Sequence, residues 1–174
     1  MDDPLADLTG LAVRLGSVAR EHAVTIATVE SCTGGLIGHL LTEVPGSSAY
    51  YLGGFVTYSD QQKREAVAVA DELLAAHGAV SAQVAVAMAA GGRTRTGADL
   101  AVSVTGIAGP DGGTPHKPVG LTYVAVADAE GTEVRRFTWD GDRSDNKRRS
   151  AEAALDLLIG RIERTPTAAG ARDR

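Results

Sequence analysis

Residues 24 to 58, VTIATVESCTGGLIGHLLTEVPGSSAYYLGGFVTY, change periodicity twice. VTIATV (24–29) is rich in β-branched residues and reads as a short strand. LIGHLLTEV (36–44) switches to helical spacing, PGSS (45–48) is a turn, and YYLGGFVTY (50–58) reads as a strand again. Glycines inside that second strand predict a bulge or a close backbone approach. A chain that alternates strand and helix in this way has few architectures open to it.

The rest of the chain extends the pattern. Leu5, Leu8, Leu11, Ala12, Leu15, Val18 and Ala19 recur at helical spacing and predict an amphipathic helix to about Glu21. Ser59 with Gln62 fits a capping box, so a helix should start there and carry Lys63 in its first turns. Asp71 and Ser81 read as N-caps of two more helices. The second of these, AQVAVAMAAGGRTRTG, has small residues on nearly every face and is expected to be buried. DLAVSVTG (99–106) is a strand ending in glycine and GPDGG (109–113) is a loop. GLTYVAVAD (120–128) and EVRRFTW (133–139) form a hairpin, and DRSDN (142–146) opens a last helix reaching about Arg164. Early alternation and a late hairpin predict a single α/β domain, a three-layer α/β/α sandwich with a mixed sheet. It should occupy residues 1–164, with 165–174 as a disordered tail.

Composition narrows the function. An apolar share of 44% supports a sizeable core, while aromatics at 4% mean that it is built from small residues. A net charge of −5 argues against a general nucleic-acid binder. The single cysteine, Cys32, excludes an internal disulfide and a multi-cysteine metal site. The acidic N-terminus does not read as a signal peptide, and no apolar run approaches the ~20 residues that span a bilayer. A cytoplasmic protein with no membrane partner is expected.

Ser31 stands where the first strand ends and a helix begins, a place where backbone N–H groups face outward. It is either a nucleophile with an oxyanion site beside it or, with Thr33, a plain helix cap; caps are far commoner. No histidine among His22, His39, His77 and His116 has a partner at catalytic or metal spacing. Lys63 can act as base only if its amine is neutral near pH 7, a shift of roughly 3 units from about 10.4. Ser48 is a second candidate hydroxyl, with a turn as the plain alternative. TGIAGPDGG (105–113) lets backbone N–H groups approach a ligand, although a plain long turn reads equally well. Arg143, Lys147, Arg148 and Arg149 crowd the start of a helix, where cations oppose the dipole, and this hints at a phosphate site.

Together ESCTGG, GSSAYYLGGFVTYSDQQK, GAVSAQVAVAMAAG, VSVTGIAGPDGGTPHKPVG and GDR resemble the C-terminal domain of the CinA family over roughly residues 5 to 163. That family includes nicotinamide-nucleotide amidohydrolases, also called NMN deamidases. The resemblance implies hydrolysis of the carboxamide of nicotinamide mononucleotide to nicotinate mononucleotide and ammonia. It implies no metal or other cofactor, and a homo-oligomer. By residue it implies Ser31 as nucleophile with Ser48 as rival, and Tyr58 and Lys63 as the proton-handling pair. Thr33, Gly34, Gly35, Thr105, Gly106, Gly109 and Gly112 would contact substrate, and Arg143, Lys147 and Arg148 would take the phosphate. Relatives usually follow GDR with an apolar residue and an arginine, where this chain has Asn146 and Lys147. A non-catalytic nucleotide-binding module and a serine amidase for another small substrate are the competing readings. The competence and DNA role that the family name carries finds no support in the charge.

Overall fold

A computed structural model describes residues 5–164. The expected tail, 165–174, lies outside the described residues. The first element is helix α1 (Ala6–Glu21), followed by strand β1 (Ile26–Glu30), helix α2 (Leu36–Thr42) and, after a 3₁₀ turn at Ser47–Ala49, strand β2 (Tyr51–Val56). Helices α3 (Asp60–Val67), α4 (Asp71–His77) and α5 (Ala82–Thr96) lead to strand β3 (Leu100–Gly106). A hairpin of β4 (Leu121–Ala127) and β5 (Thr132–Thr138) precedes helix α6 (Arg143–Arg164). Among the described residues no helix is long and apolar enough to cross a membrane.

The five strands form one sheet in the order β2-β1-β3-β4-β5. β1 runs parallel to β2 and to β3, and β3, β4 and β5 are successively antiparallel. The sheet is mixed, as expected. β1 is buried along its whole length, which is why VTIATV reads as continuously apolar instead of alternating.

The two faces pack differently. One carries α1, α2 and α6 over the large side chains Leu8, Leu15, Leu40, Leu41, Leu155, Leu158 and Ile162. The other carries α5 over a floor of small residues, including Ala27, Ala101, Ala125 and Ala127. The small residues of α5 set how close it lies. A β-carbon at Gly92 would sit 2.2 Å from Val29 Cγ2, and one at Gly91 would sit 1.8 Å from the Val67 carbonyl oxygen. Ser103 Oγ in the sheet donates to the Ala85 carbonyl of α5 at 2.6 Å. The expectation that α5 is buried all round is corrected: Gln83, Ala90, Thr94 and Arg95 are exposed. Its alanines and glycines bring one face close to the sheet and do not bury the rest.

Local expectations were met in part. β2 pairs Tyr51 with Ile26 and Gly53 with Ala27, so Leu52 is the extra residue of a bulge. Gly54 is the close approach, since a β-carbon there would lie 2.0 Å from Thr28 Oγ1. Ser59 caps α3 by accepting from the Gln62 N–H at 3.1 Å, but the Gln62 side chain turns to Glu65, so half of the capping box forms. Ser81 caps α5. Asp71 is not an N-cap: it is the first helical residue of α4, behind Ala70, and it pairs with Arg64 at 2.9 Å.

Strand order reverses at β1. The chain leaves β1 to one side through α2, then returns past it to β3 through α3, α4 and α5. The carboxyl ends of β1 and β3 therefore flank a crevice at the switch point, where ligands of open α/β sheets bind.

Two glycine-to-alanine changes separate the roles of glycine in this fold. Gly91→Ala should destabilise by roughly 1–3 kcal/mol through overpacking. Gly10→Ala meets nothing within 4 Å, so it should stabilise α1 by about 0.5–1 kcal/mol. Urea unfolding of both variants measures the contrast.

Candidate active site

The turn after β1 is held by Glu30. Its buried carboxylate accepts from the backbone N–H of Gly35 at 3.0 Å, Ile37 at 3.1 Å and Gly38 at 2.8 Å. Gly34 and Gly35 take φ of 65° and 99°, which lets the chain turn from strand to helix across the five residues between Glu30 and Leu36. α2 has no side-chain cap from Ser31 or Thr33. The plain reading of Ser31 as a cap is thereby overturned, because a carboxylate on the strand end satisfies the orphan helix donors instead.

Ser31 Oγ is free for a different partner. Lys63, on the first turns of α3, is 1% exposed and donates from Nζ to Ser31 Oγ at 3.1 Å and to the Thr57 carbonyl at 2.8 Å. Burial holds the Lys63 ammonium below its ordinary range, with the charge of Asp60 opposing that shift. Among the described residues no oxygen accepts from the backbone N–H of Cys32 or of Thr33, and the Cys32 N–H meets only its own sulfur, so two donors next to Ser31 can turn to a ligand. Burial pushes the Cys32 thiol up to about 12, and Glu30 adds to the shift, so this sulfur stays protonated and is a poor nucleophile.

A cavity of about 210 Å³ opens over this pair. Ser31, Cys32, Tyr58, Lys63, Thr105, Gly106 and Arg143 line it, with Ala79, Val80 and Ala108. Thr105 Oγ1 is committed to the Ala79 carbonyl at 2.8 Å and serves the wall. Tyr58 is mostly exposed at the mouth, where Arg143 donates to its hydroxyl at 3.1 Å and to the Gly109 carbonyl at 2.7 Å. A larger groove of about 650 Å³ between β5 and α6 holds none of the residues singled out in the sequence as candidates for the site, apart from the helix-start cation Arg149. Arg149 is tied to Asp140 at 2.7 Å.

Other expected residues fall outside the cavity. Ser48 sits in the 3₁₀ turn before β2, at the amino end of the parallel strands, a strand length of about 17–20 Å from the end that carries Ser31. Within one chain it is not a rival to Ser31. Thr33 is fully buried, its hydroxyl has no hydrogen-bond partner, and it lies off the cavity wall. Gly34 and Gly35 shape the turn and do not line the cavity. Gly109 contributes its carbonyl to Arg143, and Gly112, at φ 92°, stands in an exposed part of the loop. Lys147 lies behind the turn, its Nζ 3.8 Å from where a Gly34 β-carbon would be. Arg148 approaches Asp145 at 3.9 Å and lines a separate cleft with Leu5 and Leu36, because it projects from another side of α6.

Sequence reasoning missed Glu30 and Asn146. A carboxylate closing an otherwise apolar strand, just ahead of a Gly-Gly helix start, was the available signal for Glu30. Asn146 is buried, donates from Nδ2 to the Ala108 carbonyl at 3.1 Å and accepts from the Gly141 N–H at 3.1 Å, which ties the start of α6 to the cavity wall. Nothing local distinguished it. Among the described residues no three His, Cys, Asp or Glu side chains gather as a metal site would require.

These features define a small α/β domain with a buried serine–lysine pair at the switch point of its sheet. The profile of the CinA C-terminal domain matches residues 8–162, and the chain belongs to that family. It is 53% identical over 145 residues to a CinA-like protein of Citrifermentans bemidjiense, covering 83% of this chain and 35% of that protein. A CinA-like protein of Chloroherpeton thalassium is 50% identical over 153 residues, covering 85% of this chain and 36% of the relative. The chain thus spans about a third of the length of these curated relatives. Among solved structures, the competence/damage inducible protein CihA from Agrobacterium tumefaciens superposes with a TM-score of 0.87 at 40% identity, covering 94% of this chain and all of that one. The competence damage-inducible protein A from Klebsiella pneumoniae gives 0.88 at 32% identity, covering 91% of this chain and 98% of that one.

Two outcomes follow from the buried charges. Glu30→Ala leaves three backbone N–H groups without an acceptor and should cost at least about 3 kcal/mol in urea unfolding, with Glu30→Gln intermediate. Lys63 has its folded pKa depressed, so between the folded and unfolded values the unfolded chain binds more protons and its contribution to stability grows as pH rises. Lys63→Met should therefore compare most favourably with the parent at neutral pH and lose ground by pH 10.

Proposed function

We propose that the domain hydrolyses the carboxamide of nicotinamide mononucleotide, giving nicotinate mononucleotide and ammonia. The observation that carries this reading is the 3.1 Å contact between Lys63 Nζ and Ser31 Oγ at the floor of the cavity. A serine is a weak nucleophile until a base stands within hydrogen-bond reach, and a lysine is a base only when burial favours its neutral form. Both conditions hold here. The names of the relatives state no reaction, so the substrate rests on the family resemblance together with this chemistry.

Neutral Lys63 takes the Ser31 proton as Oγ attacks the carboxamide carbon, whose electrophilicity the pyridinium charge raises. The oxyanion that forms is met by the N–H groups of Cys32 and Thr33. Lys63 then returns its proton to the departing ammonia. Water, deprotonated by the same amine, clears the acyl group from Ser31. Tyr58 orients the amide at the mouth. Of the three expected cations, Arg143 is the one at the cavity and is the residue we assign to the phosphate.

Ammonia release from nicotinamide mononucleotide by the purified domain tests the reading. Ser31→Ala and Lys63→Met should each lower kcat by about 10³-fold or more while remaining folded, and Ser48→Ala should keep activity within a few-fold. Rate should climb with pH as Lys63 loses its proton, through a range below that of an ordinary lysine. Nucleotide binding without any ammonia release would overturn the enzyme in favour of a binding module.

A further inference from the structure

At the mouth of the cavity stands a cation that pairs with no carboxylate among the described residues. Arg143 donates to two neutral acceptors, the Gly109 carbonyl at 2.7 Å and the Tyr58 hydroxyl at 3.1 Å. Its position as the first residue of α6 sets its charge against the positive end of the helix. The neighbouring Asp142 makes no ion pair with it; its carboxylate faces the backbone and accepts from the Asp145 N–H at 2.9 Å.

Arg143 also divides two spaces. Inside lies the cavity of about 210 Å³ with Ser31 and Lys63. Outside lies a cleft of about 510 Å³ bordered by Pro110, Val119, Asp142 and Ser144, and Arg143 and Ala108 line both. The inner cavity falls below the roughly 300–1,000 Å³ of a typical small-molecule site. A substrate that puts a planar carboxamide over Ser31 must pass Arg143 and carry its remaining bulk in the outer cleft.

We infer that Arg143 is a specificity-determining latch: an anionic group on the substrate draws its guanidinium off Tyr58 and Gly109, and this frees the Tyr58 hydroxyl for the inner cavity. This rests on the reading of function above. The Arg143 bonds to Gly109 and Tyr58 are already charge-assisted on the donor side; a phosphate dianion adds opposite charge and bidentate acceptor geometry, and so displaces both contacts. The phosphate then acts on turnover as well as on binding, because remote binding energy is used to complete the site. An analogue without an anionic group, such as nicotinamide riboside, meets a latched Tyr58 even when it fills the cavity.

The test separates the phosphate from the reacting half. Turnover of nicotinamide riboside is measured with and without inorganic phosphite, against nicotinamide mononucleotide. In the parent protein the riboside should show a kcat at least tenfold below that of the mononucleotide, and phosphite should raise it several-fold with saturation. Arg143→Met should not respond to the anion, and it should bring the kcat values of the riboside and the mononucleotide within a few-fold of each other. Tyr58→Phe should also lose the phosphite response. Equal kcat for both substrates in the parent, no phosphite effect, or an effect that survives in Arg143→Met overturns the latch. If the mononucleotide itself is not hydrolysed, the reading of function falls and the latch with it; if it is hydrolysed and phosphite does nothing, the latch alone falls.

Discussion

Three backbone N–H groups converge on one buried carboxylate, and the site depends on that arrangement. Glu30 ends the central strand and satisfies the orphan donors of Gly35, Ile37 and Gly38. A helix that starts inside a protein must find such acceptors, and the usual solution is a serine or threonine one residue ahead of it. Because Glu30 supplies them from the strand, Ser31 is not consumed as a cap. Its hydroxyl meets Lys63, and the N–H groups of the next two residues stay available to a ligand.

The sheet places this turn where it is useful. β1 is flanked by the two strands that run parallel to it, and the chain reverses direction there, so the carboxyl ends of β1 and β3 open together. Lys63 arrives from α3, which is reached only through β2. Its ammonium would be costly in this interior if fully charged, and burial shifts it toward the neutral amine. The feature that makes the lysine expensive to bury is thus the one that makes it a base. Close packing of α5 on the alanine floor leaves room for the rest: Ala79 and Val80, in the turn just before α5, form the opposite wall, pinned by Thr105.

Much of the fold was legible because periodicity reports burial directly. β1 read as a strand from its β-branched residues, which suit a strand covered on both faces, and α6 was bounded at both ends by its own polar pattern. The bulge at Leu52 was legible through its glycines. Asp71 was misjudged because an acidic residue suits a cap and the first helical turn equally well, and only the pairing with Arg64 distinguishes them. The burial of α5 was overestimated because alanine and glycine have no sidedness that a sequence can display.

The sequence alone determined the layered α/β architecture, the order of elements and the short set of residues able to carry chemistry, since these follow from local periodicity, turn residues and side-chain type. Tertiary structure decided which of those residues work together. Ser31 and Lys63 are separated by a helix and a strand in the chain, yet their polar atoms touch, whereas Ser48, closer in sequence to Lys63, lies at the far end of the sheet. Arg143 was separated from Lys147 and Arg148 in the same way, by the face of α6 that the packing turned toward the cavity. Contacts between distant segments depend on strand order and helix rotation, and neither is written in any local stretch of the chain.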